Sequence, residues 1–180
     1  MVSGKTDFFI YAITAISIVA ATTDLLRGRI YNWLTFPGLI VGVVFSTING
    51  GWYGLTGAFF GITLALFLYG WMFWIGVMGA GDVKLLMALG AWGGLKYTLQ
   101  VGLLGIMLGG AIALVILVFS RKITDFIKRL YHFILTLFIK ELEIEFPKIN
   151  HQMKMPFGLA IAIAAVLVAF TDPFVKLGLW

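Results

Sequence analysis

Apolar segments about as long as a membrane is thick follow one another through most of this chain. Five of them lie at roughly 7–23, 33–49, 54–77, 97–119 and 155–172. A helix needs about 20 apolar residues to cross the hydrocarbon core, because each residue adds about 1.5 Å. Only 12% of the residues are charged, whereas about a quarter are charged in soluble domains. The pattern predicts an all-α integral membrane protein that forms a single domain over residues 1–180.

A sixth apolar segment, residues 83–94, is too short to cross a bilayer alone, since it would extend for only about 18 Å. Such a helix is tolerated at membrane depth where neighbouring helices or a cavity cover its ends. We therefore predict a six-transmembrane-helix bundle with this short helix packed inside it. Gly57 with Gly61, and Gly105 with Gly109, have the spacing that lets helices approach closely in lipid.

The distribution of lysine and arginine predicts the orientation of this bundle. With the N-terminus outside, ten basic residues fall on the inner side and three, Lys5, Lys96 and Lys176, outside. The inner ten are Arg27, Arg29, Lys84, Arg121, Lys122, Lys128, Arg129, Lys140, Lys148 and Lys154. Basic residues concentrate on the cytoplasmic side of membrane proteins. We predict a multi-pass protein of the cytoplasmic membrane whose net charge of +5 reflects topology and contact with anionic lipids, with no nucleic-acid partner.

Residues 121–154 mix charged side chains with Ile, Phe and Leu at helical spacing. They predict an amphipathic helix on the cytoplasmic interface, before the last transmembrane helix and ending ahead of Pro147. We favour a connector on the membrane surface, and the alternative is an arm that guides a basic substrate with its glutamates. His132 and His151 lie here without a metal-binding pattern. With no cysteine in the chain, no metal site is predicted.

Two aspartates lie at the predicted cytoplasmic ends of helices, where an ionisable group is costly. Asp24 ends the first span in ATTDLLRGRIYNWLTFPG, and Asp82 opens the short helix in MGAGDVKLLMALG. Such residues usually face one another or a cavity and serve a function. Two facing carboxyls can share one proton, so that one activates a water and the other polarises a carbonyl. This pair predicts peptide-bond cleavage without a metal or a cofactor.

The residues around Asp82 fit the same interpretation. Gly79 and Gly81 leave the backbone free to bend and to approach an extended substrate. Asp82 is expected at the N-cap of the short helix, with its carboxylate near free N–H groups. Lys84 is expected to pair with Asp82 or to contact the headgroup region.

These segments resemble the type IV prepilin peptidases and archaeal preflagellin peptidases, which are membrane aspartyl proteases of the GxGD type. GAGDVKLLMALGAWGG is similar to that family's second-aspartate motif, DLLRGRIYNWLTFP to its first-aspartate region, and KMPFGLA to the Pro-Phe-Gly that opens the last helix. The resemblance implies that Asp24 and Asp82 are catalytic. It implies that short basic leaders are cut from pilin-like or archaellin precursors at the cytoplasmic membrane face. Possible supporting residues from the motifs are Arg27, Arg29, Asn32, Pro156, Phe157 and Gly158.

The chain departs from the family pattern at two positions. Tyr31 replaces the proline that many bacterial members have between Ile and Asn, and Leu159 replaces a proline after Pro-Phe-Gly. We expect neither residue to touch a catalytic group. The larger bacterial enzymes also carry a cysteine-containing domain and methylate the new N-terminus. This chain has no cysteine and no room for that domain before its first helix, so we expect no N-methyltransferase activity.

Other interpretations stay open. In one of them, the two aspartates have structural roles alone: they cap helices and pair with basic neighbours, Asp24 with Arg27 or Arg29. In an ion or proton transporter they would relay ions, but the spans offer only scattered polar residues and no further carboxyl. A non-catalytic assembly factor would not need both aspartates. Proteases of the presenilin type place a Tyr-Asp in the preceding helix, whereas here Thr23 precedes Asp24.

Overall fold

A computed structural model of the protein describes residues 3–119 and 157–171, in which all regular secondary structure is α-helical. The helices are α1 (Ser3–Arg27), α2 (Asn32–Trp74), α3 (Ala80–Phe119) and α4 (Phe157–Thr171). The first three are long and apolar enough to cross a membrane, and α4 is a shorter apolar helix. These helices indicate a membrane protein. The predicted amphipathic segment at 121–154, with His132 and His151, lies outside the described residues.

The chain divides into two compact units by its internal contacts. One unit contains the described residues up to Gly109 together with α4, and the other begins at Gly110. Of the second unit, the structure describes only residues 110–119, which continue α3. The contacts of the core and of the cavity all belong to the first unit.

Helix α3 folds back on itself at Gly94. This residue has φ 72° and ψ −167°, a conformation open almost only to glycine. Residues on either side of it come together: a Cβ on Gly90 would lie 2.6 Å from Thr98 Oγ1, and a Cβ on Gly102 would lie 3.5 Å from Leu86 Cδ2. Residues 86 and 102 would be about 24 Å apart along a straight helix. The chain therefore reverses direction at Gly94.

Helix α2 makes the same kind of reversal at Gly51, which has φ 56° and ψ −135°. A Cβ on Gly54 would collide with the carbonyl oxygen of Ser46, on the other side of the turn. The structure thus has four helices in its described part rather than the six that the sequence predicts. The difference arises because a single glycine makes each turn, so that within α2 and within α3 two helical segments follow one another without a loop.

The part of α3 before Gly94 lies at the centre of the core. It begins at Ala80, three residues earlier than predicted, and Leu85, Leu86 and Leu89 are fully buried. Apolar side chains of α1 and α4, among them Ile161, belong to the same cluster. The indole N–H of Trp92 donates a 2.8 Å hydrogen bond to the Gly38 carbonyl of α2. The short apolar segment is therefore enclosed by protein, as its length requires.

Small residues let the helices of this core approach closely. A Cβ on Gly61 would collide with the Gly90 carbonyl, so α2 and α3 cross there with backbone against backbone. Cβ atoms on Gly105 and Gly109 would lie 2.6 Å from the Tyr69 hydroxyl and from Phe157 Cε1, respectively. The predicted packing role is confirmed for these three glycines. At the fourth, Gly57, a Cβ would meet nothing within 4 Å, but the Gly57 backbone lies 3.5–3.8 Å from the position that a Cβ on Gly94 would have.

Exposed aromatic side chains lie at both ends of α2. Trp33, Trp71 and Trp74 are exposed near the start and the end of the helix, which the reversal brings to the same side. Trp52 and Tyr53 are exposed at the reversal itself. Tryptophan and tyrosine concentrate at the two membrane–water interfaces. The exposed aromatic side chains of α2 thus form two groups, one at the two ends of the helix and one at its turn.

Candidate active site

A cavity of about 400 Å³ lies where α1 ends and where α2 and α3 begin. Its lining combines the last turn of α1, the loop that follows it and the backbone at the start of α3. The lining residues are Asp24, Gly28, Arg29, Ile30, Tyr31, Asn32, Gly79, Ala80, Gly81 and Asp82. Since a water molecule occupies about 30 Å³, the cavity can hold waters and part of an extended peptide. Both aspartates singled out by the sequence therefore line one space.

Asp82 lies in the first turn of α3 and is only 8% exposed. Its Oδ2 accepts a 3.1 Å hydrogen bond from the N–H of Gly79, and its own N–H donates to the Gly79 carbonyl at 3.1 Å. A carboxylate at the third helical position that reaches back to the residue before the helix is half of a capping box. The predicted N-cap position of Asp82 is therefore wrong, because the helix begins at Ala80 and Gly79 precedes it.

Asp24 lies in the last turn of α1 and is half-buried. Its Oδ2 accepts a 3.2 Å hydrogen bond from the N–H of Leu159, and the backbone of Gly158 contacts the same carboxyl. These N–H groups belong to the first turn of α4, where they have no partner inside the helix. Asp24 and Asp82 are also close enough to interact electrostatically. The structure thus brings together the two residues that the sequence predicts to act together.

Ile30, in the loop between α1 and α2, connects the three sequence motifs. A Cβ on Gly81 would lie 3.1 Å from Ile30 Cβ, and a Cβ on Gly158 would lie 2.6 Å from Ile30 Cδ1. The space beside Gly81 is thus filled by Ile30. At Gly79, by contrast, a Cβ would come no closer than 3.5 Å to another atom. Of the two glycines before Asp82, Gly79 keeps more space beside the cavity.

Lys84 holds the start of α2 and does not pair with Asp82. Its Nζ donates a 2.9 Å hydrogen bond to Asn32 Oδ1 and lies 5.6 Å from the centre of the Phe36 ring. Asn32 lines the cavity as the first residue of α2. Lys84 therefore connects the helix that carries Asp82 to the rim opposite it.

The remaining motif residues have different positions. Arg27 donates a 3.0 Å hydrogen bond to the Tyr31 hydroxyl rather than to Asp24, while Arg29 lines the cavity. Phe157 is buried at the start of α4, and Pro156 lies outside the described residues. Among the residues that the structure describes, no three His, Cys, Asp or Glu side chains form a group that could hold a metal ion.

The contributions of two residues, Ile30 and Leu159, were not predicted from the sequence. The expectation that Leu159 touches no catalytic candidate is wrong, because the backbone N–H of Leu159 donates to Asp24. The departure from the family pattern was itself a signal, since a proline at this position has no N–H to donate. Ile30 gave a weaker signal, since it is the aliphatic residue in the short loop that connects α1 to α2.

We expect Lys84→Met to weaken the connection between α2 and α3, because methionine keeps the length of the side chain but loses the ammonium group. The loss of one hydrogen bond with a charged donor corresponds to about 1.5–3 kcal/mol, less where water replaces the lost partner. Thermal unfolding in detergent would be compared for Lys84→Met, Asn32→Ala and the double variant. A double variant less destabilised than the sum of the singles is the expected result, and strict additivity would contradict it.

A comparison with known protein families gives one match to this chain. The model of the type IV leader peptidase family matches residues 11–114, which is more than half of the chain and includes both aspartates. The match confirms the resemblance that the sequence motifs indicate. Neither a curated protein nor a solved structure gives a significant match.

Proposed function

The chain belongs to the type IV leader peptidase family, and we propose that it is a membrane aspartyl endopeptidase. Its substrates in this proposal are pilin-like or archaellin precursors, from which it removes the short basic leader peptide. The observation that carries the proposal is the position of Asp24 and Asp82 on the lining of one cavity. The Oδ2 atom of each carboxyl accepts a hydrogen bond from a backbone N–H, which holds the side chain beside the cavity.

The proposed reaction uses water as the nucleophile and needs no cofactor. One aspartate, as carboxylate, takes a proton from a water that attacks the scissile carbonyl, while the other, as carboxylic acid, donates its proton to the carbonyl oxygen. Collapse of the tetrahedral intermediate breaks the C–N bond. The aspartate that took the proton from water donates it to the departing amine, and a hydroxyl of the intermediate returns a proton to the other aspartate as the new carboxyl group forms. The aspartates then again hold one proton between them.

We further propose that the reversals at Gly51 and Gly94 divide the chain into six membrane-embedded helical segments. Residues 32–50 and 52–74 would each extend for about 30 Å, which matches the hydrocarbon core. The cavity then faces the cytoplasm and the N-terminus lies outside, in line with the ten inner basic residues. The amphipathic segment at 121–154 would lie on the same interface. We expect no N-methyltransferase activity.

The test is a leader-cleavage assay with the purified chain in liposomes and a panel of pilin-like and archaellin precursors. The expected result is one cut per accepted precursor, identified by the mass of the new N-terminus, and no cut by the variant that carries both Asp24→Asn and Asp82→Asn. A precursor with its basic leader residues replaced by Gln should be cut more slowly. If the folded native chain cuts none of the panel, the peptidase proposal is wrong and ion-flux measurements on the same liposomes become the next step.

A further inference from the structure

The start of α4 is built against the side chain of Asp24. The Leu159 N–H donates to Asp24 Oδ2 at 3.2 Å, and the preceding residue, Gly158, contacts the same carboxyl through its backbone. We propose that Gly158 and Leu159 are positioning residues that fix the orientation of the Asp24 carboxyl before substrate arrives. The catalytic part of this proposal rests on the proposed function, whereas the contact itself does not.

The first turn of α4 offers Asp24 backbone N–H donors that have no hydrogen-bond partner inside the helix. The first N–H groups of a helix lack intrahelical partners and carry the positive end of the helix dipole. A carboxylate that accepts such an N–H makes a charge-assisted hydrogen bond, which is about twice as strong as a neutral one. Because Oδ2 of Asp24 is held in this way, rotation of the carboxyl is restricted.

The sequence leaves room for this contact at Gly158, which has no side chain. A Cβ on Gly158 would lie 2.8 Å from Asp24 Oδ2 and 2.6 Å from Ile30 Cδ1. Any other residue would force the Asp24 carboxyl and the Ile30 side chain to shift or the start of α4 to move away from them. The absence of a side chain at Gly158 is thus a condition for the hydrogen bond that Leu159 makes.

Helix α4 is itself fixed by contacts with neighbouring helices. Ala160, Ile161, Ala164 and Ala165 are buried, and the helix packs against α1, which carries Asp24. The carbonyl of Ala165 also accepts a 2.8 Å hydrogen bond from the Tyr97 hydroxyl of α3. A donor on an element fixed by several neighbours can restrict a catalytic group more closely than a donor on a loop.

The experiment separates the contact from the chemistry by a double-mutant cycle. Leu159→Pro removes the N–H at a helix position that tolerates proline, Leu159→Ala keeps the N–H, and Asp24→Ala removes the acceptor. The melting temperature of each variant would be measured in detergent. We expect Leu159→Pro to lower it in the native background and to have a clearly smaller effect beside Asp24→Ala. We also expect a loss of about ten- to a hundredfold in kcat with little change in KM for Leu159→Pro, the size expected for one hydrogen bond to a charged group.

Gly158→Ala is the second variant, in case Leu159→Pro does not fold. The added Cβ should destabilise the native chain more than the Asp24→Ala chain, where the Asp24 carboxyl no longer obstructs it. Additive melting shifts in both cycles would overturn the proposal, and so would coupled shifts with an unchanged kcat. If no precursor is cut by any variant including the native chain, the proposed function fails, while coupled melting shifts would still establish that α4 holds Asp24.

Discussion

Asp24→Asn and Asp82→Asn are each expected to reduce leader cleavage by about a hundred- to ten-thousandfold, the usual contribution of a general acid or base. An amide neither takes a proton from water nor supplies one to a carbonyl oxygen. Its oxygen can still accept the N–H of Leu159 or Gly79 that holds the native carboxyl. The two substitutions should therefore remove the chemistry and leave the fold and substrate binding almost unchanged.

The measurement is single-turnover cleavage of one accepted precursor, with helicity and melting temperature recorded for each variant. Asp7→Asn is the matched control, since it makes the same change of charge in the same helix about 25 Å from Asp24 along the axis. Its cleavage rate should stay within about twofold of native, because it is far from the proposed acid–base pair. Near-native cleavage by either Asp24→Asn or Asp82→Asn would show that the two-carboxyl mechanism is wrong.

The two aspartates could be predicted from the sequence because the cost of a charge in a membrane is a local property. A carboxyl in an apolar run needs a reason wherever the chain folds. The short apolar segment was informative in the same way, since its length alone excludes an independent crossing. In the structure, Asp24 lies in the last turn of α1, Asp82 lies in the first turn of α3, and both line one cavity.

The contacts that hold the aspartates could not be predicted, because they come from the backbone. Every residue except proline carries the same N–H, so the donors of Leu159 and Gly79 leave no mark in composition or periodicity. Only the replacement of a proline by Leu159 pointed to one of them. The breaks near Gly51 and Gly94 could be predicted, because the apolar segments 33–49 and 54–77, and 83–94 and 97–119, meet there. The residue that makes each turn could not. Glycine is common in membrane helices, and its sequence position does not say which glycine leaves the helical conformation.

Gly61→Ala and Gly57→Ala are expected to have opposite effects on stability, although the two glycines form one motif on one face of α2. A Cβ on Gly61 would collide with the Gly90 carbonyl and would lie 2.9 Å from the Gly90 carbonyl carbon. These are backbone atoms, so no change of rotamer relieves the contact and the helices must move apart. We expect Gly61→Ala to destabilise the protein by about 3 kcal/mol, the upper end for overpacking a core.

Gly57→Ala is the matched control, because its Cβ would meet nothing within 4 Å. There alanine should stabilise the protein by about 0.5–1 kcal/mol, since it loses less conformational freedom than glycine on forming a helix. Both variants would be unfolded by denaturant titration in detergent and followed by tryptophan fluorescence. If the two substitutions changed stability equally, the crossing at Gly61 and Gly90 would not be as close as the structure has it.

If they differ in sign as expected, the close approach that keeps the first part of α3 at the centre of the core depends on one glycine of the pair. Cleavage should then fall with Gly61→Ala, because Asp82 lies on that same part of α3.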